Sequence, residues 1–247
     1  MEPLERYTRQ ILIPEIGEAG QVKIANAKVL LIGAGGLGSS SAFYLAAAGV
    51  GVIGIADGDT IEISNLNRQI LHDQSRIDTL KATSAKQTLG KFNPSIDIVA
   101  YPNRFKTARE LVKIINRYDL VVDCSDNYPT RFAINDACIQ ARKPWIYGAV
   151  SGFEGQAMTV VPGQGPCYRC LYPSAPASAE ADQLPGVIGV SPGIIGIIQA
   201  AEALKYILGK GNLLIDRLLF IDLLEMTLSE FTVMKNPNCL SCGEGVT

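Results

Sequence analysis

The chain has 247 residues, 47% of them apolar, which suits one large domain or a domain with an appendage around a sizeable core. A formal net charge of −2 supplies no basic face for phosphate backbones and so excludes nucleic acid as a partner. No apolar run reaches the roughly 18 residues that span a bilayer, the opening MEPLERYTRQ is too polar for a secretory signal, and six cysteines are too few for a disulfide scaffold, so a cytoplasmic setting without a membrane partner is expected.

Residues 4–25 place apolar side chains at helical spacing and predict a helical arm within residues 1–27. Lys28–Ile32 is a short apolar run that leads straight into Gly33-Ala-Gly35-Gly36-Leu-Gly38. A small-residue helix follows to Ala48, and Gly51–Ala56 is a second buried strand closed by Asp57. Strand, glycine turn, helix and strand make a βαβ unit. Helices are then predicted over Thr79–Lys91, Ala108–Arg117 and Pro129–Arg142, with strands over Ile96–Ala100, Leu120–Cys124 and Trp145–Val150. Such alternation predicts a doubly wound, Rossmann-like α/β region over residues 28–150, its sheet parallel and covered by helices on both faces.

The rhythm breaks after residue 150. Gln156–Val161 reads as a strand, residues 163–192 as an irregular segment, and Gly193–Leu208 as a helix. Leu218–Leu224 and Leu228–Met234 read as antiparallel strands that extend the sheet, making residues 151–247 the C-terminal part of one mixed-sheet domain. An irregular segment this long usually serves as a lid or binding element.

The glycine turn points backbone N–H groups and a helix N-terminus at an anion, and Asp57 at the next strand end is placed for a ribose hydroxyl. Gly33, Gly35, Gly36, Gly38 and Asp57 therefore indicate an adenine nucleotide, with NAD, FAD and ATP all open at this point. A dehydrogenase is the weaker alternative, because the single histidine, His72, leaves few acid–base groups and reads as a packing or surface residue. Asp59, Arg68 and Lys81 follow the second strand, and Asp126-Asn127 follow the strand ending at Cys124. Strand ends line one crevice, so Arg68 and Lys81 are placed to neutralise phosphates and Asp126 to hold Mg2+.

In that order the chain resembles the MoeB/ThiF family, relatives of ubiquitin-activating enzymes. The matching segments are Arg6-Tyr-x-Arg9-Gln10, Gly33-x-Gly-Gly-Leu-Gly38, Asp57-x-Asp59, Asn65-Leu-x-Arg68-Gln69, Lys81, and Cys124-Ser-Asp126-Asn127 with Arg131. The resemblance implies an ATP-dependent adenylyltransferase acting on the C-terminal glycine carboxylate of a ubiquitin-like sulfur carrier. It implies ribose contacts from Asp57, phosphate contacts from Arg68 and Lys81, Mg2+ at Asp126, and Asn65 near the phosphates. It further implies a homodimer in which Arg9 reaches across the interface. Where the family shows a Gly and a Pro before the lysine, this chain has Asp78-Thr79-Leu80.

Cys167-x-x-Cys170 and Cys239-x-x-Cys242 are two half-sites whose four thiolates close a tetrahedral shell, so a structural Zn2+ is expected rather than a redox dithiol. Cys124 and Cys138 fall on predicted buried faces. Many family members carry a relay cysteine in the long segment, but none lies between Cys170 and Cys239, and Asp182 stands near the expected position. The enzyme is thus expected to stop at the acyl-adenylate, with a small-molecule carboxylic acid as the alternative acceptor.

Overall fold

Val29, Leu30 and Leu31 of strand β1 (Lys28–Ile32) are wholly buried, as a central strand covered on both faces requires. The computed structural model, which describes residues 5–105, 107–175 and 186–244, places β1 between two parallel neighbours, β2 (Val52–Ala56) and β4 (Leu120–Asp123). Strand β3 (Asp97–Tyr101) adds outside β2, and β5 (Trp145–Ser151) outside β4, both parallel. Beyond β5 the direction reverses: β6 (Glu154–Val160), β7 (Arg217–Asp222) and β8 (Thr227–Thr232) each pair antiparallel with the strand before. One eight-stranded mixed sheet results, in the order β3-β2-β1-β4-β5-β6-β7-β8.

Two apolar layers cover this sheet. On one face, α2 (Gly17–Asn26), α3 (Gly36–Ala48), α4 (Lys81–Phe92) and α8 (Val190–Leu208) bury Ile24, Leu45, Leu89 and Ile195 in one continuous apolar layer. On the other, α5 (Ala108–Ile115), α6 (Tyr128–Ala141) and α7 (Tyr168–Leu171) pack around Leu111, Ile134, Trp145 and Tyr168. Helices α3 and α8 approach closely because their contact is made of small residues: Ser41 donates to the Gly196 carbonyl at 2.8 Å and Ser40 to the Pro192 carbonyl at 3.1 Å. Gln199 of α8, fully buried, donates to the carbonyls of Asp123 (2.6 Å) and Ile146 (3.2 Å), fastening the helix to β4 and β5. Among the described residues no helix is long and apolar enough to cross a membrane.

The N-terminal region departs from the expected single helix over 4–25. It forms a 3-10 turn at Glu5–Tyr7, a short α1 (Thr8–Ile11), a turn, and then α2. Pro14 has no N–H for a continuing helix, and Gly17 adopts φ +57° as the chain turns into α2. Helix α8 begins at Val190 instead of Gly193. Pro192 is compatible with this start, because first-turn N–H groups have no intrahelical acceptor.

Candidate active site

The C-terminal ends of β1, β2 and β4 open into a cavity of about 930 Å3. Gly33 follows β1 with φ +106°, and a Cβ there would overlap the carbonyl oxygen of Cys124 at the end of β4. Only glycine lets the two strand ends close together. Gly35 caps α3 and Gly36 begins it, so the first-turn N–H groups of a 13-residue helix face the cavity lined by Gly33, Gly35 and Gly36.

Asp57 is the hinge of this rim. Its carboxylate accepts the Ala34 N–H at 2.8 Å and the Asp59 N–H at 2.8 Å, joining the glycine turn to the end of β2. Burial pushes its carboxyl above the ordinary range, while the two backbone donors and Lys81 work the other way. Lys81, the first residue of α4, is buried and holds its ammonium 3.6 Å from Asp59. Asp59 also takes the guanidinium of Arg104, with Nη2 at 2.6 Å and Nε at 2.8 Å. Arg68 lies across the cavity, its Nη1 donating to the Ser64 carbonyl and to Asn67 Oδ1, both at 3.0 Å.

On the β4 side, Asp126 accepts from Asn127 Nδ2 at 3.1 Å, and Asn127 caps α6 by accepting the Thr130 N–H at 2.9 Å. The loop beneath is braced from inside. Asp123 accepts both Ser125 N–H (2.9 Å) and Ser125 Oγ–H (2.7 Å), and Arg131 Nη2 donates to the Ser125 carbonyl at 3.1 Å. Burial pushes the Asp123 carboxyl up to about 6, against the pull of Arg131.

The fold thus gathers Gly33, Gly35, Gly36, Asp57, Asp59, Arg68, Lys81, Asp126 and Asn127 around one cavity. Three expected residues lie elsewhere. Gly38 packs against the Gly33 carbonyl, where a Cβ would overlap it. Asn65 closes a capping box with Glu62 in the turn Ile63–Asn65. Arg9 stands exposed on α1, outside the cavity lining. Gln69, named in the sequence as part of a matching segment but given no site role, lines the cavity with its Oε1 buried and unpartnered among the described residues. Residue-by-residue reading missed Arg104, for which the sequence holds no local cue. His72 is buried with its ring nitrogens 2.9 Å from the Ala34 carbonyl and 3.0 Å from Ser84 Oγ, which is a packing role.

On the far side of α6 the four cysteines converge. All their Sγ atoms lie within 4.8 Å of one another, with Cys167–Cys239 and Cys170–Cys242 each at 3.5 Å. Four thiolates at 2.3 Å from a tetrahedral Zn2+ would be about 3.8 Å apart, so the cluster fits that ion. Cys124 and Cys138 are buried, as expected, and burial pushes both thiols up.

Residues 7–241 match the model of the ThiF family. A sulfur carrier protein adenylyltransferase of Thermus thermophilus is 43% identical, over 100% of this chain and 93% of the relative. The SAMP-activating enzyme E1 of Haloferax volcanii is also 43% identical, over 98% of this chain and 90% of the relative. The crystal structure of E. coli MccB with ATP superposes with a TM-score of 0.86 at 25% identity, covering 97% of this chain and 75% of MccB. The chain thus belongs to the ThiF family and is an ATP-dependent adenylyltransferase.

Proposed function

We propose that this enzyme adenylates the C-terminal glycine carboxylate of a ubiquitin-like sulfur carrier and releases pyrophosphate. The observation that carries the reading is the cavity's lining. Besides Asp57, Lys81 and Asp126 it includes Val150, Gly186 and Val187, which in this reading border an extended chain end beside the nucleotide. The two relatives at 43% identity are named for sulfur carrier protein adenylylation and SAMP activation, which agrees with a small protein acceptor.

In this reading Asp57 holds the ribose, the α3 N-terminus faces the phosphates, and Arg68 and Lys81 neutralise them. Asp126 holds Mg2+, which supplies further charge compensation when bound. A carboxylate attacking the α-phosphorus is already ionised, so no general base is needed. That agrees with a cavity whose neighbouring imidazole, His72, is committed to Ala34 and Ser84. Negative charge grows on the departing pyrophosphate, and fixed cations aimed there provide the stabilisation.

Arg9 is read as serving the neighbouring subunit of a homodimer, since it stands away from its own cavity beside exposed Leu12 and Ile13. In the apolar Leu213–Leu219 stretch, Leu214 and Leu218 are buried and so offer the carrier no docking face. Exposed apolar side chains stand instead on and around edge strand β8, namely Leu224, Met226, Leu228, Phe231 and Met234, and the carrier is assigned there. Asp182 lies outside the described residues. With no cysteine between Cys170 and Cys239 and with Cys124 buried, no enzyme thioester is expected.

Pyrophosphate exchange tests the acceptor. Exchange should depend on a sulfur carrier ending in Gly-Gly, and Phe231→Asp should weaken that dependence while leaving ATP binding intact. Exchange driven only by pooled small carboxylic acids would reverse the assignment. A reductant-sensitive enzyme–carrier conjugate would show that the reaction does not stop at the adenylate.

A further inference from the structure

One carboxylate reaches into both cysteine turns. Asp136, on α6, accepts Arg169 Nε at 2.8 Å and Arg169 Nη2 at 2.7 Å in a bidentate pair. The same side chain accepts Ser241 Oγ–H at 2.6 Å. Arg169 lies between Cys167 and Cys170, and Ser241 between Cys239 and Cys242. The preceding residue, Asn135, is fully buried and accepts the Tyr168 N–H at 2.9 Å, so the first turn is gripped through its backbone as well. Phe132, one helical turn back on α6, lies under the Arg169 guanidinium at 4.5 Å.

We propose that Asp136 is the positioning residue of the cysteine cluster, holding the two C-x-x-C turns face to face before a metal arrives and slowing its departure afterwards. This rests on the reading of the cluster as a zinc site. The reasons are geometric and electrostatic. The cysteine pairs are far apart in sequence, so bringing them together carries an ordering cost that a pre-formed clamp lowers. Four thiolates around a divalent cation carry net negative charge, and Asp136 fixes the Arg169 cation beside them. Ligand-orienting partners of this kind, when removed, typically cost about 10- to 100-fold in metal affinity. Helix α6 opens at Asn127, directly after Asp126, so the clamp also ties the cluster to the helix that starts at the nucleotide cavity.

The test uses the full chain and zinc itself. Metal content of the wild type is measured first, then zinc transfer to a chromogenic chelator from wild type, Asp136→Asn and Ile134→Val. Ile134 is a buried α6 core residue whose apolar side chain can make none of the clamp's hydrogen bonds, so its variant reports helix destabilisation alone. Asp136→Asn should yield zinc about 10- to 100-fold more readily than wild type, and well ahead of Ile134→Val at equal thermal stability. If Asp136→Asn does not fold, Arg169→Gln, which removes one arm of the clamp, should show the same direction. Wild-type protein without zinc would overturn the metal reading and the clamp together. Zinc-loaded wild type with transfer no faster from Asp136→Asn, or from Arg169→Gln in its place, would overturn the clamp alone.

Discussion

At the scale of single residues, Lys81 shows how burial sharpens a charge. Its ammonium is nearly enclosed, with the Asp59 carboxylate only loosely paired at 3.6 Å, so it can turn to a phosphate with little solvent to displace. Lys81→Ala should lower pyrophosphate exchange roughly 100- to 1000-fold, the usual cost of losing one preorganised electrostatic contact, with circular dichroism unchanged. Wild-type exchange by that variant would remove Lys81 from the chemistry. His72 makes a second prediction. Burial holds its imidazole below the ordinary 6.5, with the nearby Lys81 and Arg76 charges working in the same direction and the Ala34 carbonyl opposing. The unfolded chain therefore binds a proton near 6.5 that the folded chain refuses, and stability must fall as pH drops through that value. Between pH 7 and 5, denaturant titrations should show the wild type losing stability relative to His72→Gln; a pH-independent difference between the two would refute this.

At the scale of elements, the glycine turn is a junction between strands more than a loop. Gly33 has φ +106° and no room for a Cβ against Cys124, so Gly33→Ala meets both backbone strain and overlap. A penalty of about 1–3 kcal/mol is expected, which for a chain of this size is about 2–4 °C in melting temperature per kcal/mol. ATP binding should weaken with it, because the same shift disturbs the start of α3. A Gly33→Ala variant that melts and binds ATP like wild type would show that the close approach is unimportant. Edge strand β8 is the opposite kind of element: all six of its residues are exposed, and among the described residues it stands at the end of the sheet with one side of its ladder unpaired.

At the scale of the whole molecule, the sheet changes character along its width. Its parallel half presents strand ends and helix N-termini to the cavity, and its antiparallel half ends in β8 with its exposed apolar side chains. The halves join at the short turn between β5 and β6, while the cysteine cluster draws on the segments after β6 and after β8, and α6 runs from the cavity to it. If the cavity is completed by Arg9 of a second copy, mixing Arg9→Ala chains with Lys81→Ala chains should restore activity. Random pairing leaves one intact site in half of the dimers, or about a quarter of wild-type activity. No recovery after proven subunit exchange would place Arg9 in another role.

Local chemistry was legible in the sequence. The turn Gly33–Gly38, the strand rhythm and both C-x-x-C pairs each depend on residues a few positions apart, where steric and ligand-spacing rules act directly. Asp57, Arg68, Lys81 and Asp126 were legible because each follows a strand or turn in a set order, and parallel strands bring such ends to one side. What the tertiary structure decided is what neighbours in space do to one another. Asp59 is shared by Lys81 and Arg104, and Asp136 joins Arg169 to Ser241. Leu214 and Leu218 turn inward while β8 carries the exposed apolar side chains. Residues that far apart in sequence meet only once the sheet has set their register and the helices have closed over it, and no spacing within the chain encodes such a meeting.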